Sequence, residues 1–191
     1  MVCALGAVVA LALVVAIPTA RAGVWDEATR MLLVKVLVGE AGYNLVPDDP
    51  AILAVLAKRN ELPAWRGKGI AELAQAYSAV VREGLPPNAN RVRAARVTRE
   101  TAPEAIMQLV DAVGDGAPLA PCRRPWEPGM LCDPCRGQAM HWGSVHDSRN
   151  SPLPRVQCGR THNVFLGEVQ PVHLRPRAIP VNGVIPGRMA H

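Results

Sequence analysis

The chain has 191 residues, 49% of them hydrophobic, and its 21 basic and 16 acidic residues give a formal charge of +5. That length fits one compact domain better than two, and the composition excludes a coiled coil, a collagen-like rod, a disordered chain and a multi-span membrane protein. Eighteen of the basic residues are Arg, which reads as a habit of genome composition more than a surface built for nucleic acid.

The apolar residues are unevenly spread. Residues 1–22 hold 18 of them, in a run from Val2 to Ile17 of signal-peptide length and shorter than a comfortable membrane span. Ala20 and Ala22 form the small-x-small pattern that signal peptidase reads. The expectation is therefore a signal peptide over 1–22, cleavage after Ala22 and an exported protein with no membrane span in its mature form. No Lys or Arg precedes the apolar run, so only the α-amino group supplies the usual positive charge.

The next stretch reads as helices with short breaks. The first is expected over 26–41, apolar nearly all round, which places it centrally and buries it on most sides; Gly42 is a natural residue to end it. The second starts at Asp49-Pro50, an N-cap followed by Pro at the first helical position, and runs to Arg59 with Ile52, Val55 and Leu56 as its apolar stripe. A third spans 70–81, where Ile70, Leu73, Ala74, Tyr77 and Val81 recur at helical spacing. A short basic segment over 91–99 reads as a fourth. A fifth opens with Thr101-Ala102-Pro103-Glu104, which has capping-box form, and runs to Gly114.

After Gly114 the period disappears. Residues 115–160 hold Cys122, Cys132, Cys135 and Cys158 among many prolines and read as an irregular, cross-linked lobe. In an oxidising compartment these four cysteines point to two disulfides, with three possible connectivities. The competing readings are free thiols and zinc, the latter on Cys132-Asp133-Pro134-Cys135 with His141, His146 or His162, although a second pair at matching ligand spacing is missing. From 171 to 191, Pro, Gly, Arg and Val follow one another without a pattern that buries anything, which suggests a flexible tail. The expected organisation is a signal at 1–22, one mainly α domain at 23–170 and the tail at 171–191.

The sequence contains no Walker loop, HExxH, GxSxG or strand-following GxGxxG. Glu40, however, is the only acidic residue of the first helix after Glu27, and it falls in the last turn. Apolar neighbours and the negative end of the helix dipole both disfavour its charge, and so raise its pKa. A proton-holding carboxyl is what a general acid acting on a glycosidic oxygen needs. The plain alternative is a solvated helix-end residue. Asp48 and Asp49 are best read as helix-capping residues rather than as a second catalytic carboxylate.

Leu37-Val38-Gly39-Glu40-Ala41-Gly42 followed by Ala51-Ile52-Leu53-Ala54-Val55-Leu56-Ala57-Lys58-Arg59 resembles the start of spore-cortex-lytic, SleB-like cell-wall hydrolases and related soluble lytic transglycosylases. Ala76-Tyr77-Ser78 falls where that group carries an aromatic–Ser element. His141-Trp142-Gly143, Cys158-Gly159 and Thr161-His162-Asn163-Val164-Phe165 are similar to the end of its exported bacterial members. The resemblance implies a lysozyme-like fold and cleavage of the β-1,4 bond between N-acetylmuramic acid and N-acetylglucosamine in peptidoglycan. It also implies a single Glu, Glu40, acting as acid and then base, with no cofactor and no metal. Tyr77 and Ser78 would then face the cleft.

Trp142 offers an aromatic face for a sugar ring or a plug for the cysteine lobe. His141 and Asn163 could donate to N-acetyl groups or simply hold loops together. Arg91, Arg93, Arg96 and Arg99 form a solvated face or a contact for anionic wall polymers; aromatic interleaving for nucleic acid is absent. The expected molecule is a monomer whose partner is the peptidoglycan strand. A catalytically inactive, exported glycan- or protein-binding module of the same fold is the competing function.

Overall fold

The computed structural model describes residues 25–168 apart from 147 and 150; the expected signal at 1–22 and tail at 171–191 lie outside the described residues. Five helices precede a small sheet: α1 (Glu27–Ala41), α2 (Asp48–Asn60), α3 (Ile70–Tyr77), α4 (Ala89–Ala95) and α5 (Glu104–Gly114), then β1 (Ala139–Gly143), β2 (Arg155–Val156) and β3 (Val164–Gly167). A single 3-10 turn, Pro63–Trp65, lies between α2 and α3. The fold is mixed and mainly helical.

Helix α1 is the axis of the molecule. Its Asp26 N-cap accepts from the Thr29 amide at 2.8 Å, satisfying one of the free N–H groups of the first turn. Leu33, Val34, Val36, Leu37 and Val38 are completely buried, because α2, α3, α4 and α5 all pack around it. That is the consequence of a helix with almost no polar face. Gly42 ends it at φ 105°, a conformation that favours glycine, and its N–H returns to the Val38 carbonyl at 2.9 Å.

Gly39, in the last turn, has a second role. A Cβ there would overlap the Val80 Cγ1 methyl and press on Ala94 Cβ at 3.1 Å. Alanine is favoured over glycine inside a helix by about 1 kcal/mol, yet overpacking a rigid β-branched neighbour costs roughly 1–3 kcal/mol. Gly39→Ala is therefore expected to lower stability, and Val80→Ala in the same chain to recover most of the loss. Denaturant melts of the two single variants and the double variant measure that coupling. Additive effects would show that the two positions do not touch.

Three helix expectations are corrected. Helix α3 stops at Tyr77, not at residue 81: Ser78 leaves the helix at ψ 120° and its hydroxyl accepts from the Val80 N–H at 3.2 Å. Helix α4 lies over 89–95, displaced from 91–99, because the Asn88 side chain caps it by accepting from the Arg91 N–H at 2.9 Å. The capping box at Thr101 is not made either. Thr101 Oγ1 accepts from the Thr98 N–H at 2.8 Å, closing the turn after α4, and α5 starts at Glu104. A fourth correction concerns Asp48 and Asp49. Helix α2 has Pro47 as its N-cap residue and no side-chain cap; both carboxylates are fully buried and serve other partners.

The lobe expected to be irregular contains an antiparallel sheet of order β1-β3-β2. Its strands have two to five residues, and a bulge falls between Ala139 and His141, so no alternation is long enough to be read. The sheet is fastened to the helices by β1 packing on α2 and by Phe165, which is buried in the common core. Cys122 pairs with Cys132 and Cys135 with Cys158. The CxxC cysteines thus belong to two different disulfides, which removes the thiolates the zinc reading required. Among the described residues no cluster of His, Cys, Asp or Glu is arranged to hold a metal, and no helix is long and apolar enough to cross a membrane.

Candidate active site

Glu40 stands in the last turn of α1, half-buried, where four elements meet. From the residue after α3, Ser78 Oγ donates to Glu40 Oε1 at 2.7 Å; from β1, the Trp142 side chain favours the carboxylate form. From the loop just before β3, Asn163 Nδ2 donates to the Glu40 carbonyl at 3.4 Å. From α4, Arg93 Nη2 donates to the Gly39 carbonyl at 2.8 Å, at the helix end where a cation is favourable.

These groups pull the Glu40 proton in opposite directions. Burial raises its pKa and is the largest effect, and the nearby Asp48 charge adds to it. The hydrogen bond from Ser78, the Trp142 side chain and the attraction of Arg93 favour the carboxylate form and lower it. Burial wins, so Glu40 holds its proton above the ordinary glutamic acid range.

No family model, curated protein or solved structure matches this chain. The chemistry of the site is therefore read from its own side chains.

Asp48 is the fastener beneath Glu40. Its Oδ1 accepts from the Asn163 N–H at 2.7 Å and from Asn163 Nδ2 at 2.9 Å, and its Oδ2 accepts from the His162 N–H at 2.9 Å. A residue at the start of α2 thereby fixes the loop leading into β3, 114 and 115 positions further along the chain. With no exposed surface and three donors on it, Asp48 is a structural carboxylate and not a second catalytic one.

Asp49 is also fully buried. Its Oδ2 accepts from the Val46 N–H at 2.8 Å, and among the described residues Oδ1 has no partner. Burial, with Asp48 adjacent, pushes its pKa up to about 7 from 3.8. Because the folded pKa is raised, the folded state keeps the proton that the unfolded chain gives up. The contribution of Asp49 to stability is whole below the unfolded value and is lost as pH rises through about 7. A shift of this size corresponds to roughly 4 kcal/mol. Asp49→Asn should flatten that dependence: between about pH 5 and pH 8.5 the unmodified protein should lose several degrees of melting temperature more than the variant. Parallel melting curves would contradict this assignment.

The residues expected to form the cleft fall into two neighbouring groups. Ser78, Trp142 and Asn163 surround Glu40. Tyr77 and His141, each one position away in sequence from a Glu40 partner, turn toward Arg59 instead. The Arg59 guanidinium lies 3.8 Å from the Tyr77 ring centroid and donates to the Tyr77 hydroxyl. It also donates to the Met140 carbonyl at 2.7 Å and lies 3.2 Å from the His141 ring nitrogens. Trp65 meets Tyr77 edge-on at 5.7 Å. Burial, and then the Arg59 charge, lower the His141 pKa, so near neutral pH its ring is a neutral donor and acceptor. Arg59, Asp48 and Arg93 join the site through partners on other elements; the local sequence offers Asp48 only as a helix cap, Arg93 only as one of a basic cluster, and Arg59 only as the end of the segment that carries the resemblance.

Proposed function

We propose that this chain is an exported enzyme that cleaves peptidoglycan glycan strands, as a lytic transglycosylase or a muramidase, on a lysozyme-like helical domain. The observation that carries the reading is Glu40: a half-buried carboxyl at the end of a buried helix, held above its ordinary pKa and oriented by Ser78. Two disulfides are compatible with export.

In this mechanism protonated Glu40 gives its proton to the glycosidic oxygen as the C1–O bond breaks and positive charge develops at C1. The resulting Glu40 carboxylate is stabilised by the Ser78 hydroxyl and the Trp142 indole. It then takes a proton from the incoming nucleophile. If that is the sugar's own 6-hydroxyl, a 1,6-anhydro ring closes; if it is water, a reducing end forms. Glu40 finishes protonated in both cases. The buried, fully bonded state of Asp48 supports one carboxylate in two roles over a carboxylate pair.

Digestion of purified peptidoglycan by the oxidised protein, with products read by mass, tests the proposal. Anhydro-muropeptides indicate a lytic transglycosylase and reducing ends a muramidase. Peptidoglycan retained on the folded protein without any cleavage would overturn the enzymatic reading in favour of a binding module.

A further inference from the structure

The hairpin between β2 and β3 lines an open pocket of about 190 Å³. That is smaller than the roughly 300–1,000 Å³ that surrounds a drug-sized ligand and suits one sugar unit better than a disaccharide. Its floor is apolar, from Val156 and Phe165, and its polar wall is Arg155, Gln157, Thr161 and His162. Asn163 completes the wall, and it is the same side chain whose amide touches the Glu40 carbonyl at 3.4 Å. The pocket and the candidate catalytic turn therefore share a residue.

The loop that forms this wall is held at both ends. Cys158 is buried and bonded to Cys135, while the His162 and Asn163 amides are bound by Asp48. The strands on either side are in register, Arg155 opposite Leu166 and Val156 opposite Phe165. The backbone of a wall fixed in this way loses little entropy on binding. Three of the wall's polar groups are nonetheless uncommitted: among the described residues, the side chains of Arg155, Gln157 and Thr161 have no hydrogen-bond or ion-pair partner.

The charge has one sign. Arg155 lines the pocket, Arg160 stands exposed on the same loop, and His162 adds a ring that can donate. Among the described residues, no acidic side chain lines it. The carboxylate that faces His162, Asp48 Oδ2 at 3.9 Å, is fully buried and already bonded.

We propose that this pocket is a saccharide subsite selecting a sugar that bears a carboxylate, with Arg155 as its specificity-determining residue. This rests on the glycan-cleaving reading and deepens it. Of the two sugars alternating along a peptidoglycan strand, only the muramyl unit carries a lactyl carboxyl; that acid is free on a naked strand, whereas on a substituted strand the free acids are those of the stem peptide. Both present a carboxylate to a guanidinium, which binds it through a charge-assisted and often bidentate contact.

Binding is measured by calorimetry on the full chain carrying Glu40→Gln, which removes turnover, and on the same chain carrying Arg155→Ala as well. Four probes are used: neutral chitotetraose, a naked peptidoglycan tetrasaccharide, that tetrasaccharide with its carboxyls capped as amides, and one bearing stem peptides. The naked tetrasaccharide is expected to bind about tenfold more tightly than chitotetraose. Capping or Arg155→Ala should erase the difference while chitotetraose affinity stays level. A stem-peptide probe that matches the naked one assigns the peptide acid as an equal ligand; a weaker one assigns the lactyl acid. Equal affinity for capped and free forms, or discrimination that survives Arg155→Ala, would overturn the subsite while Glu40-dependent cleavage still stood. No binding of any probe, together with no cleavage by the unmodified protein, would remove both readings at once.

Discussion

Glu40→Gln is expected to reduce glycan cleavage by about 10²–10⁴-fold, the range that a positioned acid/base contributes, with the melting temperature little changed. Glutamine keeps the shape and can still accept from Ser78, but it has no proton to give. The same residue sets the pH profile. Cleavage needs the protonated form, so activity should fall on the alkaline side as Glu40 ionises. Ser78 donates to the carboxylate at 2.7 Å and lowers the pKa from what burial alone would impose. Ser78→Ala should therefore raise it further and move the alkaline limb to higher pH, a displacement that a merely structural role for Ser78 would not produce. A folded Glu40→Gln variant that cleaves peptidoglycan as fast as the unmodified protein would end the proposal.

Glu40 was legible because local sequence sets its environment: an apolar helix, one late acid and a glycine stop are all contained in 16 consecutive residues. Helix α1 itself was legible for the same reason. The sheet was not, since a two-residue strand opposite a bulged one carries no period, and its register is set by β3 and by the Cys135–Cys158 disulfide. Asp48-Asp49-Pro50 shows how a local rule is overridden. The sequence has the form of a helix start, which it is, but the capping role was displaced by donors from residues 162 and 163 that no local pattern could announce. Thr101 is the converse, with a capping box overridden by a nearer partner, the Thr98 N–H. Tyr77 looked like a stripe residue and also proved to be a ring beneath a guanidinium; that contact joins positions 59 and 77 with 141, which single-sequence periodicity does not connect.

Asp48→Ala is expected to cost about 3–5 kcal/mol, the largest stability effect of any substitution considered. Asp48 is fully buried and receives three N–H donors, two of them backbone amides with no alternative partner in view. Removing the acceptor leaves those donors desolvated and unsatisfied, at roughly 1–3 kcal/mol each. For a domain of this size the loss corresponds to a melting temperature lower by on the order of 10 °C, and hydrogen exchange should accelerate first at His162 and Asn163. Asp48→Asn separates the hydrogen bonds from the charge. Its carbonyl can still accept from Asn163, but its NH2 meets the His162 N–H, donor against donor, so stability should again fall. The charge leaves a distinct signature, because the Asp48 carboxylate raises the pKa of Glu40. Neutralising it should move the alkaline limb of cleavage to lower pH, opposite to the effect of Ser78→Ala. A drop in stability with an unmoved limb would make Asp48 a fastener alone; opposed shifts in the two variants would show that the residue fixing the β3 loop also helps to set the proton affinity of the candidate acid.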